Sequence, residues 1–303
     1  MPLLAAAPRA LTPLSLAAAA LALLVPSAAL AGHSDLLLAL LVLATALGIS
    51  AGDLARLRDH TAAVAILSVG PLVVLAAVAW VIGRAFDVDV RDGLLAVGLS
   101  SSEVASVGLV ALAGADATIA LGAVTGSLVL AALLGPIAIG VLAGHAGHGG
   151  AGHLLVRFAL VVIVPLIAGS LIRTGAPGIA AGDDEREGVA ALTVAVLVYA
   201  ALSGTAGAHG LAPALAAALI FLLVSALLGE LWRRRTAPGA VAIPGALAIG
   251  MRDFAVAAAL AAQAFGPRAA AVPGVYGVVM LVAGAVAAGR FGARRTDAAR
   301  TQE

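Results

Sequence analysis

The sequence contains no cysteine and no lysine, and all 17 of its basic residues are arginine. Without cysteine there is no disulfide, no thiolate metal site and no thiol nucleophile. Charged residues of either sign make up only 11% of the chain, against roughly a quarter in soluble domains. The net charge is +1 and the arginines sit in short clusters, so no basic face is available to nucleic acid and no strong field steers a charged ligand. A phosphate-binding loop, a metal-ligand motif and a nucleophile–base arrangement are also missing, so neither an enzyme nor a cofactor is expected. What is present is apolar: 62% hydrophobic residues, a mean hydropathy of +1.13, and an Ala/Gly/Arg usage that points to a high-GC bacterial genome. The expected solvent is the lipid bilayer.

Runs of about 18 or more apolar residues between polar breaks give ten expected spans. They are Leu11–Ala31, Asp35–Ser50, Ala62–Ile82, Gly93–Ala113, Ala117–Ala143, Leu154–Ile172, Gly188–Ser203, Leu211–Trp232, Val241–Phe265 and Ala270–Ala288. The first has a rival reading. One arginine, an apolar run over Leu16–Val25 and the ending Ala28-Ala29-Leu30-Ala31 also fit a signal peptide. With both termini cytoplasmic, twelve arginines fall on the inner side: Arg9, Arg56, Arg58, Arg173, Arg186, Arg233, Arg234, Arg235, Arg290, Arg294, Arg295 and Arg300. Only Arg84, Arg91 and Arg268 fall outside, with Arg157 just inside the outer end of the sixth span. That bias predicts a multi-pass protein of the bacterial inner membrane with cytoplasmic termini.

Gly93-Leu94-Leu95-Ala96-Val97-Gly98 returns 152 positions later as Gly245-Ala246-Leu247-Ala248-Ile249-Gly250. The same offset lays the second, third and fifth spans on the seventh, eighth and tenth. Two halves are therefore expected within one all-α membrane domain, residues 1–152 and 153–303, each a five-helix repeat. An odd number of spans forces the second copy to enter from the opposite side, which is an inverted repeat with its site near the midplane. The repeat needs Leu11–Ala31 to be a helix.

Three ionisable residues lie inside expected spans: Glu103 in the fourth, and Arg252 with Asp253 in the ninth. Unpaired, each costs about 2.5–3.5 kcal/mol at the bilayer centre, roughly 7–10 kcal/mol together. They must be paired or wet. A bridge from Arg252 to Glu103 across the two halves is the expected pairing, read either as a structural lock or as a substrate or coupling-ion site. Ser100, Ser101, Ser102, Glu103 and Ser106 put five oxygen-bearing side chains within seven residues. Such side chains permit close crossing, re-satisfy unwound backbone or coordinate a cation, but they also bond back to their own helix. Pro244 removes a backbone hydrogen bond shortly before Arg252, which supports a discontinuous ninth helix.

Other polar groups are weaker candidates. His145, His148 and His153 lie in or beside a Gly-rich outer loop, as metal ligands or, more simply, solvated residues. Asp183-Asp184-Glu185-Arg186-Glu187 reads as a solvated cytoplasmic linker, and Glu230 as a surface partner of Arg233 to Arg235.

Two blocks, Gly93–Gly140 and Ala242–Gly289, resemble the bile acid:sodium symporter family. The first carries Ser100-Ser101-Ser102-Glu103-Val104-Ala105-Ser106-Val107, then Leu112-Ala113-Gly114-Ala115-Asp116, then Thr125, Ser127 and Pro136. The second carries Ala248-Ile249-Gly250-Met251-Arg252-Asp253, then Phe265-Gly266-Pro267 and Pro273. Gly48-Ile49-Ser50, Asp53-Leu54 and Pro71 also fit the family's second and third helices. The resemblance implies ten helices in a panel and a core, with the fourth and ninth broken and crossing near the substrate. It implies a site drawn from Ser101, Ser102, Glu103, Ser106, Thr125, Met251, Arg252 and Asp253. It also implies two sodium sites, at positions that here read Ser106, Val107, Ala120, Val124, Ala248, Arg252 and Ile66. Of these only Ser106 keeps a side-chain oxygen. A guanidinium stays charged, so ordinary two-sodium coupling is expected to be absent, with Arg252 a tethered cation neutralised by Glu103 or Asp253. Coupling then runs on protons through those carboxyls, or does not occur.

The resulting expectation is a secondary transporter of a small organic anion or amphipathic carboxylate, with the bilayer as its other partner. The alternative is a non-transporting membrane sensor or scaffold that keeps the fold. The family's arsenite-efflux branch relies on a membrane cysteine, which this chain lacks.

Overall fold

The structure, a computed structural model, describes residues 11–27, 30, 33–48, 51–143, 150–176, 183–203, 211–236 and 240–300. Arg9, most of the signal-like ending (Ala28, Ala29 and Ala31), Ile49, Ser50, His145 and His148 lie outside the described residues. The helices in chain order are α1 (Leu11–Leu24), α2 (Ser34–Ala46), α3 (Ala51–Arg56), a 3-10 turn (Leu57–His60), α4 (Thr61–Gly83), α5 (Val88–Leu99), α6 (Ala105–Leu112) and α7 (Ala117–Leu142). They continue as α8 (Gly150–Gly175), α9 (Asp183–Ser203), α10 (Leu211–Arg235), α11 (Ala242–Gly250), α12 (Phe254–Phe265) and α13 (Ala271–Arg300). Among the described residues the only strand-like pairing is one isolated bridge.

Helices α4, α7, α8 and α10, with 23 to 26 residues, are long and apolar enough to cross a membrane. At 1.5 Å per residue each exceeds the ~30 Å hydrocarbon layer. Their outer faces are apolar: Val73, Val141, Leu171 and Leu223 are each more than 60% exposed. In water such a surface is an aggregation hazard, whereas lipid covers it without loss. The chain is a multi-pass membrane protein.

Two helix groups share one buried core. In a flanking layer, α2 packs on α8 and α9, and α9 on α1. In a crossing group, α4 packs on α5 and α7, α10 on α11 and α13, and α12 on α5 and α13. Small residues set the tight contacts. A Cβ on Gly98 would stand 2.6 Å from the Leu75 carbonyl of α4, and one on Gly245 would collide with the Trp232 ring of α10. Leu94, Leu128, Phe221, Phe254, Leu260 and Tyr276 fill the space between.

Three sequence expectations need correction. Pro244 does not break the ninth span: it sits in the first turn of α11, where no intrahelical donor is required, and the break comes seven residues later at Met251. The segment from Asp183 is no linker either, because it forms the first turns of α9. Within it Arg186 donates to the Leu47 carbonyl at 3.3 Å, tying α9 to the end of α2. The expected Arg252–Glu103 bridge is also absent, for a reason the crossing supplies.

Candidate functional site

The fourth and ninth spans both unwind. Helix α5 stops at Leu99, whose C-cap Ser100 is extended, and α6 starts at Ala105. Helix α11 stops at Gly250 with Met251 extended, and α12 starts at Phe254. The two gaps cross and pair as antiparallel backbone, with Ser102 opposite Arg252. Glu103 N–H donates to the Met251 carbonyl at 3.1 Å, and Asp253 N–H to the Ser101 carbonyl at 2.8 Å. Each broken helix thereby gives its unwound N–H groups an acceptor in a place without water.

Ser102 and Arg252 form the pair that does not bond to itself, so their own N–H groups point outward. Ser102 N–H donates to Ser127 Oγ of α7 at 2.9 Å, and Arg252 N–H donates to Tyr276 Oη of α13 at 3.1 Å. The helix ends are closed in the same way. The Ser100 carbonyl accepts from Arg252 Nη2 and the Gly250 carbonyl accepts from Ser225 Oγ. Ser102 and Arg252 lie 150 positions apart, as do Glu103 and Asp253 and as do Ser100 and Gly250.

Extended backbone sends successive side chains to opposite faces, and facing residues of a pair to the same face. Ser102 and Arg252 thus share one face. Ser101, Asp253, Glu103 and Met251 share the other. This is why Arg252 does not reach Glu103. On the carboxyl face Asp253 caps α12, accepting from Ala255 N–H and Val256 N–H at 3.0 Å each, and Ser101 Oγ donates to it at 3.4 Å. Glu103 Oε1 accepts from Ala105 N–H at 3.3 Å, while its Oε2 is buried without a partner. On the other face Ser102 Oγ donates to the Ala248 carbonyl at 3.0 Å. Arg252 is fully buried, and its Nε and Nη1 have no acceptor among the described residues.

The remaining expected site residues divide. Ser106, the second residue of α6, is buried with its hydroxyl unpartnered. Met251 packs under Gly284 of α13. Thr125 is not at the crossing bonds: its hydroxyl donates back to Leu121 within α7 at 2.9 Å. Ile66 is 55% exposed on the outside of α4. His153 lies in the first turn of α8, exposed. The sequence reading named Ser127 as part of the resemblance without placing it in the site, and did not single out Ser225 or Tyr276. The available signal was a hydroxyl on an otherwise apolar helix 24 or 25 residues from each break.

Discontinuous helices of this kind, crossing near the middle of the fold, recur in secondary transporters. A family model, the SBF-like CPA transporter family, matches residues 15–233. The chain belongs to that family. The match, of bile acid:sodium symporter type, agrees with the resemblance read from the sequence and covers the first of its two blocks, Gly93–Gly140. No curated protein matches the chain. The part of this SBF-like protein matched by the family model holds the Ser-Ser-Ser-Glu break, whereas Arg252, Asp253 and Tyr276 follow it in α11 to α13.

Proposed function

We propose that this SBF-like protein is a secondary transporter of a small organic anion or amphipathic carboxylate. It works by alternating access of two inverted five-helix repeats, residues 1–152 and 153–303, in a bacterial inner membrane with both termini cytoplasmic. The matched hydroxyls support the repeat: Ser127 serves Ser102 as Tyr276 serves Arg252, from the next long helix of each half.

One observation carries the coupling chemistry. Arg252 sends Nη2 to the Ser100 carbonyl at the broken end of α5. An unwound carbonyl is the kind of oxygen a coupling cation takes. A permanently charged side chain occupying it makes ordinary two-sodium coupling unnecessary. Glu103 and Asp253, on the other face, leave protons as the coupling ion, and Ser101, Ser102 and Ser106 line the same crossing.

The test is uptake of a panel of carboxylates into liposomes containing the purified protein, under sodium and proton gradients applied separately. Uptake driven by the proton gradient, or running downhill without either, is expected. A strict need for sodium would overturn the tethered-cation reading, and a folded protein that moves none of the panel would favour the sensor or scaffold.

A further inference from the structure

A polar contact between the two helix groups lies away from the crossing, where α2 and α8 begin and α12 ends. Asp35, in the first turn of α2, takes two bonds at Oδ2 from Arg157 of α8, Nε at 2.9 Å and Nη2 at 2.6 Å. Its other oxygen, Oδ1, accepts from Gln263 Nε2 of α12 at 2.6 Å. Asp35 and Arg157 both belong to the flanking layer, and Gln263 belongs to the crossing group. Immediately beneath lies a small apolar pocket between the groups, with Ser34, Leu197, Ala201, Ala258, Ala262 and Ala270 in its wall. Ser34 and Ala262 are the chain neighbours of Asp35 and Gln263, so the contact adjoins the pocket.

We propose that the Asp35–Gln263 hydrogen bond is the gate closing this end of the transport path, released each time the flanking layer and the crossing group move apart. The proposal rests on the alternating-access reading above. The bonds are graded for that purpose. The Asp35–Arg157 pair is charge-assisted and doubled, so the carboxylate stays with the flanking layer, while the amide bond across the gap is single and has a neutral donor. Gln263 Oε1 is buried without a partner, so the closed state leaves one amide group unsatisfied. Opening releases that group to water. Asp35 and Arg157 are already 27% and 51% exposed, so solvent is at hand to replace the broken bond. The arginine distribution puts this end outside, which makes the described state closed to the exterior.

The absence of native cysteine allows a direct measurement on the full chain in detergent. A single cysteine, Ala258→Cys, sits in the pocket wall and reports opening by its rate of reaction with a water-soluble maleimide. In that background Gln263→Glu sets a carboxylate against Asp35, and the labelling rate is expected to rise about tenfold or more as the open population grows. An unchanged rate would overturn the gate. Should Gln263→Glu misfold, Asp35→Cys with Gln263→Cys, joined through disulfides by a short bis-methanethiosulfonate, is the second test. Cross-linking is expected to stop uptake and reductant to restore it, and full uptake while cross-linked overturns the gate. Labelling that responds to Gln263→Glu in a protein that moves no solute keeps the gate and sinks the transporter reading. Uptake with labelling indifferent to that substitution does the reverse.

Discussion

Ser102 and Arg252 stand opposite each other as an antiparallel pair at the centre of a helical protein, each with its amide bonded to a hydroxyl from a different long helix. From that pairing follows the separation of charge: the guanidinium on one face of the crossing, the two carboxyls on the other. The arginine keeps a carbonyl as its acceptor and no carboxylate within ion-pair reach among the described residues. That arrangement is costly to hold in an apolar interior, and it makes Arg252 the residue on which stability and function diverge most.

Replacing Arg252 with Met should therefore raise thermal stability while abolishing transport. The substitution abandons no ion-pair partner and removes a buried guanidinium with two unsatisfied nitrogens, a gain set against the single bond it gives up to the Ser100 carbonyl. Burying a well-sized apolar chain in place of buried ionic groups is worth about 1–4 kcal/mol. The increase is read as a higher melting temperature in detergent, with flux measured in liposomes. Simultaneous loss of stability would mean that Arg252 locks the fold.

Tyr276→Phe and Ser127→Ala make a matched pair. Each deletes the acceptor for one outward-pointing amide, at Arg252 and at Ser102, leaving a buried N–H with nothing to bond; Ser127→Ala also removes the bond from Ser127 Oγ to the Val124 carbonyl at 3.1 Å. Each is expected to cost about 1–3 kcal/mol. Denaturant or thermal unfolding of the two variants checks this, and equal costs would support equivalent places in the two halves.

Much of this organisation was legible beforehand, because the properties that place helices in a bilayer are carried by composition. Four of the expected spans overlie helices long and apolar enough to cross a membrane, α4, α7, α8 and α10, and misplaced charge at Glu103, Arg252 and Asp253 marked where two spans break. Side-chain direction was not legible. Helical spacing gives no warning that Met251 to Asp253 are extended, and only extended backbone turns Arg252 away from its neighbour Asp253 and from Glu103. Tyr276 was hidden for a different reason: one tyrosine on an apolar helix looks like packing until the amide it serves is known. Pro244 misled because a proline's effect depends on its position within the helix, and the start of α11 falls just ahead of it.

Two glycines should respond oppositely to alanine. A Cβ at Gly98 meets the Leu75 carbonyl at 2.6 Å and Ala79 Cβ at 2.7 Å, so α5 and α4 must part and Gly98→Ala is expected to cost about 1–3 kcal/mol. Gly108, within α6, has nothing within 4 Å of that position. Gly108→Ala should gain about 0.5–1 kcal/mol from helix propensity alone. Melting temperatures of the two single variants decide it.

At the crossing, among the described residues, Glu103 and Asp253 are the groups that can exchange a proton in the working range, since a guanidinium and the Tyr276 hydroxyl keep their protons there and serine hydroxyls do not ionise. The two carboxyls are not equally free. Asp253 is committed to two amides and a hydroxyl at the start of α12, so Asp253→Ala should cost about 0.5–2 kcal/mol as the loss of a helix cap. Glu103 holds one amide and leaves Oε2 unbonded, so it can gain or lose a proton without undoing the crossing. Glu103→Gln keeps the shape and the bond to Ala105 but removes the titration. Uptake by that variant is expected to ignore an imposed proton gradient, with stabilisation by substrate retained and no response to sodium in either protein. Proton-driven uptake that survives Glu103→Gln would move the coupling to Asp253.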